Sequence, residues 1–166
     1  SVVAVLLLLI LVNALYVAAE FAAVSVRRSR IQQRAEEGNW FAIRLLPYVT
    51  GLHRLDRYIA TSQIGITISS LVLGAYGQTQ LAPVMTPLFE GMGGMQAAGA
   101  ESAAFVVVLL VLTTASMILG ELVPKSLALQ YPTHVALYTL LPMQWSLRGL
   151  SWFISLLNGS GRAVVR

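Results

Sequence analysis

The segment Gly120–Lys125 places residue types that can bind an ion inside an apolar stretch. It reads Gly-Glu-Leu-Val-Pro-Lys and directly follows a long apolar run. Because Pro124 has no N–H, the carbonyl of Gly120, four residues earlier, loses its helical hydrogen-bond donor. We expect a helix break that leaves this carbonyl beside the Glu121 carboxylate. The alternative is that Glu121 pairs with Lys125 one turn later and that Pro124 only ends the helix.

The first apolar stretch of the chain also carries polar side chains on one helical face. Asn13, Tyr16 and Glu20 recur at helical spacing, and Ser25 follows near the end of the stretch. Ionisable residues within a membrane span are costly and usually face a cavity or a partner. The alternative is a packing face in which hydrogen-bonded polar groups hold neighbouring helices together.

A second apolar stretch gathers oxygen-bearing side chains and small residues on one face. The face carries Gln63, Thr67, Ser70, Gly74 and Gly77, and Ser62 and Ser69 flank it. One helical serine often bonds its own preceding carbonyl, so a single hydroxyl means little. Several hydroxyls, a carboxylate and a freed carbonyl together form an all-oxygen set that suits magnesium, calcium or sodium. The chain has no cysteine, which excludes thiolate metal sites.

The composition indicates that a membrane positions these residues. The 166 residues are 57% hydrophobic and 11% charged, with a mean hydropathy of +0.73, whereas soluble domains have about 25% charged residues. Stretches long enough to span a bilayer cover about residues 1–26, 58–81 and 102–123. The first stays apolar up to a group of arginines, which favours a retained span over a cleaved signal peptide.

The distribution of basic residues predicts the orientation. The segment between the first two spans holds Arg27, Arg28, Arg30, Arg34, Arg44, Arg54 and Arg57, whereas residues 78–101 hold no lysine or arginine. Short cytoplasmic loops collect basic residues. We therefore expect the N-terminus outside, in the plasma membrane of a bacterium (its inner membrane). The basic residues behind the formal net charge of +4 are thus explained by membrane orientation, and we expect no binding of nucleic acid.

The loops are also predicted to contain helices. The arginine-rich segment is expected to form a cytoplasmic helix that stops near Gly38. The outer loop is expected to form a short helix and turns.

A fourth region, about residues 135–157, shows two offset stripes. The apolar stripe is Met143, Leu147, Leu150, Ile154 and Leu157, and the polar stripe is Gln144, Arg148, Ser151, Ser155 and Asn158. This pattern predicts an amphipathic juxtamembrane helix; the alternative is a fourth crossing kinked at Pro142. The expected fold class is an all-α membrane protein with three transmembrane helices and this additional helix. No nucleophile motif is present, so we expect no enzyme.

Three segments, AAEFAAVSVRRSRI, TSQIGITISSLVLG and GELVPKSLAL, resemble the transmembrane domain of the CorC/CNNM family of magnesium transporters in order and spacing. The resemblance implies a homodimer in the lipid bilayer that exports Mg²⁺ with Na⁺ as coupling ion. It implies an ion site at Ser25, Ser69, Ser70, Gly120 and Glu121, and which of the adjacent serines faces the ion stays open. The residues expected to support this site are Asn13, Glu20, Gln63, Pro124 and Lys125.

Members of that family continue into cytoplasmic CBS domains that bind ATP, and no segment here resembles them. We therefore expect residues 1–166 to form a single transmembrane domain without nucleotide regulation. The competing hypothesis is a non-transporting membrane scaffold that anchors cytoplasmic regulatory domains. A scaffold needs no desolvated cluster of oxygens, so the two hypotheses differ in what the buried polar residues do.

Overall fold

The computed structural model describes residues 1–91 and 97–153, and within these ranges the chain is helical and contains no strand. The elements are α1 (Val2–Ser25), α2 (Arg28–Glu36), α3 (Trp40–Thr50), α4 (Leu52–Gly91), α5 (Ala97–Ala115), a π-helix (Ser116–Leu122), α6 (Val123–Gln130) and α7 (Pro132–Gly149). Among the described residues, three helical segments are long and apolar enough to cross a membrane, namely Val2–Ser25, Leu52–Gly91 and the continuous run Ala97–Gln130. The all-α class is confirmed, and each of the three predicted spans corresponds to one of these candidate membrane helices.

The second span is much longer than the sequence pattern predicts. Helix α4 has 40 residues, which corresponds to a length of about 60 Å, twice the roughly 30 Å apolar core of a bilayer. Pro83 and Pro87 lie inside this helix. The short helix and turns expected after residue 81 are therefore, as far as Gly91, a continuation of α4. Residues 92–96 of that loop lie outside the described part of the chain.

The third span continues through Pro124, so the predicted helix break there is wrong. The backbone instead changes its hydrogen-bond register in the π-helix, where the Val123 N–H donates to the Ile118 carbonyl five residues earlier. A proline removes one donor and crowds a carbonyl, and a local π segment is one way for a helix to accommodate that disruption. The irregular backbone is thus at the predicted place, but in a continuous helix.

Helix α1 lies at the centre and contacts α4, α6, α7 and the π-helix. Ala19 and Ala22 are fully buried, because small residues allow neighbouring helices to approach closely. Two glycines of α4 serve the same purpose. A Cβ on Gly65 would lie 2.6 Å from the Tyr16 ring, and one on Gly77 would clash with Leu112.

The arginine-rich segment forms α2, α3 and the start of α4, and it is separate from α1. Val26 is extended (φ −68°, ψ 136°), so α1 ends at Ser25 and does not run into α2. Helix α2 ends at Glu36, and Gly38 adopts a positive φ of 84°, as the predicted stop requires.

Helix α7 covers most of the region predicted to be the juxtamembrane helix. It packs on α1 and α3 through buried apolar residues, including Leu140 and Met143, and Pro142 lies within it. Residues 154–157 of the predicted helix lie outside the described residues. Its position along the membrane surface stays a prediction.

Candidate functional site

A fully buried asparagine in the middle of α1 connects three membrane helices. Asn13 Nδ2 donates a hydrogen bond to the Gly120 carbonyl at 3.3 Å. On α4, the hydroxyl of Ser69 donates to Asn13 Oδ1 at 2.9 Å, and that of Ser70 donates to the same oxygen at 3.3 Å. We call Asn13, Ser69, Ser70 and Gly120 the Asn13 cluster. It joins α1, α4 and the π-helix at one depth in the bundle.

The local sequence explains why the Gly120 carbonyl is available to Asn13. Gly120 is buried in the π-helix, and Pro124 withholds the N–H that would bond its carbonyl in an α-helix. A Cβ at this position would lie 2.9 Å from Asn13 Nδ2. Glycine therefore permits the close approach, and proline leaves the carbonyl open to a side-chain donor.

Ser69 has more acceptors around it than it can bond at one time. Its hydroxyl lies 2.7 Å from the Gly65 carbonyl and 3.0 Å from the Ile66 carbonyl, in addition to Asn13 Oδ1. A hydroxyl has a single proton and serves these acceptors in turn. The cluster therefore brings several oxygen atoms close together, and a cation that entered it would compete with these hydrogen bonds.

A groove of about 230 Å³ adjoins the cluster and contains Glu121. Its polar lining residues are Ser70, Gln78, Thr113, Ser116 and Glu121. Ser70 belongs to both the cluster and the groove. Glu121 is exposed and is, among the described residues, the one carboxylate that lines the groove. The groove thus brings a negative charge next to the neutral oxygens of the cluster.

Gln78 lies at the far side of the same groove. Its Nε2 donates to the Phe105 carbonyl at 3.2 Å, and its Oε1 is buried with no hydrogen-bond partner among the described residues. Gln78 also lines a second groove that contains Glu90 and Glu101. It therefore separates the groove of Glu121 from the one lined by these two acids.

The structure does not bring Ser25 to the Asn13 cluster. Ser25 ends α1, about 18 Å from Asn13 along the helix axis at 1.5 Å per residue. It lines a different pocket, together with Arg27, Arg30 and His134. Of the five residues predicted to bind the ion, Ser69, Ser70, Gly120 and Glu121 lie together and Ser25 lies apart.

The predicted supporting residues have separate surroundings. The Lys125 ammonium lies 4.5 Å from the centre of the Phe21 ring, a cation–π contact that gives this lysine a neighbour on α1. Glu20 is half-buried and lies near the Gln63 side chain on α4. Gln63 itself is exposed in a groove with Phe153. Glu20 and Gln63 are thus neighbours, but neither is among the hydrogen-bonding partners of Asn13.

The sequence predicted only a supporting role for Asn13. In the structure, Asn13 lies at the centre of the hydrogen bonds that join Ser69, Ser70 and Gly120. The available signal was a strongly polar side chain within a leucine-rich run, because such a group needs a partner in a membrane. Within residues 1–91 and 97–153, no three side chains of the types His, Cys, Asp and Glu come together. The oxygens at this site come mainly from hydroxyl, amide and carbonyl groups.

Comparison with known proteins places this architecture in a family. A model of the Cyclin M transmembrane N-terminal domain (CNNM) matches residues 4–166. The chain is 38% identical over 154 residues to UPF0053 protein YhdT of Bacillus subtilis, covering 93% of this chain and 32% of YhdT. It is 35% identical over 158 residues to YrkA of the same organism, covering 95% and 36%.

A mycobacterial relative matches the whole chain. The protein Rv1841c of Mycobacterium tuberculosis is 31% identical over 166 residues, which are 100% of this chain and 46% of that protein. The chain thus spans between a third and a half of the length of these relatives. The match of the family model over residues 4–166 shows the family, and the three candidate membrane helices among the described residues agree with it. The chain is a multi-pass membrane domain that belongs to the Cyclin M transmembrane N-terminal domain family.

Proposed function

We propose that this domain transports Mg²⁺ across the membrane and that the ion passes through the Asn13 cluster. The observation that carries the proposal is the convergence of oxygens from three membrane helices on a fully buried asparagine. Polar groups at membrane depth are expensive, and irregular backbone there is tolerated where it lines a cavity or binds an ion. The resemblance of the GELVPK segment to magnesium transporters supports the choice of ion.

A cation reaches the cluster in this proposal by displacing the Asn13 amide from Gly120. When the amide turns, Asn13 Oδ1 and the Gly120 carbonyl both face the ion, and the hydroxyls of Ser69 and Ser70 supply further oxygens. Magnesium prefers six oxygens at about 2.0 to 2.1 Å and retains several waters. The adjoining groove is open and gives these waters a place.

Glu121 supplies the negative charge in this proposal. A divalent ion leaving water needs an opposite charge nearby to offset its desolvation. Glu121 follows Gly120 in the π-helix and lines the groove beside Ser70. We infer that Glu121 attracts the hydrated ion into the groove and that the Asn13 cluster then replaces part of its water shell.

Sodium coupling and export rest on the resemblance. Glu20, about 10 Å along α1 from Asn13 at 1.5 Å per residue, is another acid within a spanning helix. We propose it as the residue that senses the coupling ion.

Homodimerisation belongs to the same proposal. The exposed apolar side chains of the spans, such as Leu8 and Leu110, are available to lipid or to a second copy of the chain.

The proposed orientation places the arginine-rich segment in the cytoplasm and the N-terminus outside the plasma membrane. The chain contains no cysteine, so one introduced cysteine is a unique label. Glu36 and Glu90 are exposed at opposite ends of the spans. An impermeant maleimide applied to intact cells is expected to label Glu90→Cys and to leave Glu36→Cys unlabelled, and the reverse pattern would contradict the orientation.

A flux measurement tests transport itself. The chain is reconstituted in proteoliposomes that contain a magnesium-sensitive dye, with and without an opposing sodium gradient. We expect a magnesium flux above that of empty liposomes, faster with the gradient, lost in Glu121→Ala and retained in the exposed control Glu90→Ala. A wild-type flux equal to that of empty liposomes would contradict the proposal and favour a scaffold.

A further inference from the structure

A pocket of about 680 Å³ lies where α3, the start of α4 and the end of α7 meet, away from the Asn13 cluster. Four arginines from these three helices line it, namely Arg44, Arg54, Arg57 and Arg148. Its other polar lining residues are Tyr48, Gln144 and Ser151, and no acidic side chain is among them. All four are exposed, so water and salt screen part of their mutual repulsion, and an anion between them would lower it further.

The neighbouring acids do not line this pocket. Glu36 and Glu37, at the C-terminal end of α2, accept hydrogen bonds from Gln32 and Gln33. Asp56 is close in sequence and exposed, but it is not part of the pocket lining. Residues 154–166, which follow α7, contain two arginines and no acid. Among the described residues, no acidic side chain lines the pocket beside the four arginines.

The position of the pocket corresponds to the boundary between membrane and water. Arg57 directly precedes Tyr58, where the uncharged apolar stretch of α4 begins. Helix α3 exposes Trp40 beside Arg44, whose guanidinium lies 4.0 Å from the centre of the Trp40 ring. Trp145, on α7, is 73% exposed. Exposed tryptophans next to arginines are typical of the headgroup level of a bilayer.

We propose that this pocket binds the phosphate group of an anionic phospholipid. Arginine presents planar donors that match phosphate oxygens in a bidentate way, and basic pockets between membrane helices bind lipid headgroups in this manner. The volume lies in the range of about 300 to 1,000 Å³ usual for small-ligand pockets. Tyr48, Gln144 and Ser151 offer further hydrogen bonds to the rest of the headgroup. A bound lipid then ties α7 to α3 and α4.

Native mass spectrometry of the purified chain in non-ionic detergent tests the proposal. Phosphatidylglycerol is titrated against wild type, Arg57→Gln, Arg148→Gln and the matched control Arg28→Gln, which removes one exposed arginine outside this pocket. A charge-assisted hydrogen bond contributes about tenfold in affinity or more. We expect about tenfold weaker binding in the two pocket variants and less than a twofold change in the control. Equal weakening in all three variants, or none in any, would overturn the proposal.

Two further measurements serve as controls. The first compares binding of a lipid with binding of a free anion. The second distinguishes the loss of a charge from misfolding of the variant. Phosphatidylcholine, which has no net charge, is expected to bind weakly and equally to wild type and Arg57→Gln. Inorganic phosphate in excess is expected to displace phosphatidylglycerol only partly, because it lacks the acyl chains. Arg148→Lys keeps the charge and is expected to bind better than Arg148→Gln. Complete displacement by inorganic phosphate would overturn the lipid assignment, and equal loss in Arg148→Lys and Arg148→Gln would overturn the role of charge.

Discussion

Replacing Asn13 by aspartate exchanges the amide nitrogen in the Asn13 cluster for a second oxygen and is expected to make the cluster depend on a bound cation. The substitution removes the Nδ2 donor, which lies 3.3 Å from the Gly120 carbonyl oxygen, and puts an ionised oxygen in its place. Leaving the buried carbonyl unsatisfied costs about 1–3 kcal/mol, and the buried carboxylate adds a desolvation cost that Ser69 and Ser70 offset in part. We estimate a net loss of about 3 kcal/mol in the free energy of unfolding.

Magnesium is expected to recover that loss because a cation bonds to both the carboxylate and the Gly120 carbonyl. At about 2 to 4 °C per kcal/mol for a chain of this size, Asn13→Asp is expected to unfold roughly 6 to 12 °C below wild type without magnesium. Excess MgCl₂ is expected to restore most of this difference. The assay is thermal unfolding followed by tryptophan fluorescence in detergent, at alkaline pH so that the carboxyl group is ionised.

Asn13→Leu is the matched control. It removes the same amide and also leaves the Gly120 carbonyl without its donor, but it introduces no charge. We expect a loss of about 2 kcal/mol that magnesium does not recover. If magnesium stabilises Asn13→Asp no more than it stabilises Asn13→Leu, the interpretation of the cluster as a cation site is refuted.

Three further outcomes follow from particular residues. Gly120→Ala puts a Cβ 2.9 Å from Asn13 Nδ2, so we expect about 1–3 kcal/mol lower stability and weaker magnesium binding; unchanged binding measured by calorimetry would contradict the close approach. Ser25 lies about 18 Å along α1 from Asn13, so Ser25→Ala is expected to leave the magnesium affinity within twofold of wild type. Ser69→Ala is expected to weaken magnesium binding strongly. A larger loss in Ser25→Ala than in Ser69→Ala would show that Ser25 belongs to the site. Gly38→Ala places an alanine at a positive φ of 84°, which is expected to lower the free energy of unfolding by about 1–2 kcal/mol. In the control Gly149→Ala the added Cβ meets open space, so the unfolding temperature is expected to change little.

The spans could be predicted from the sequence because a bilayer imposes a simple requirement of about 20 apolar residues. Their ends could not. Apolar content falls after residue 81, yet α4 continues to Gly91 with Pro83 and Pro87 inside it. Hydropathy reports where a helix leaves the membrane, and it carries no information on where the backbone hydrogen bonding stops.

The site was predicted only in part, because some of its features depend on local sequence and others on the packing of distant helices. Pro124 correctly marked Gly120 as the carbonyl with special chemistry, since the loss of a donor is a local property. The π register and the Asn13 contact depend on how α1 packs against the third span, which the sequence pattern does not encode. A third span that ends at residue 123 would put Glu121 near the end of its helix, as Ser25 is near the end of the first span. The helix continues to Gln130, and Gly120 consequently lies level with Asn13.

Magnesium binding measured by isothermal titration calorimetry tests the central proposal most directly, with wild type, Glu121→Ala, Ser69→Ala and Glu90→Ala in the same detergent. Glu121 and Ser69 supply the charge and a buried hydroxyl of the proposed site, and Glu90 is an exposed acid of another groove. We predict that wild type and Glu90→Ala bind magnesium with equal affinity, and that Glu121→Ala and Ser69→Ala bind at least tenfold more weakly, about 1.4 kcal/mol. Wild-type affinity in Glu121→Ala would contradict the proposed site.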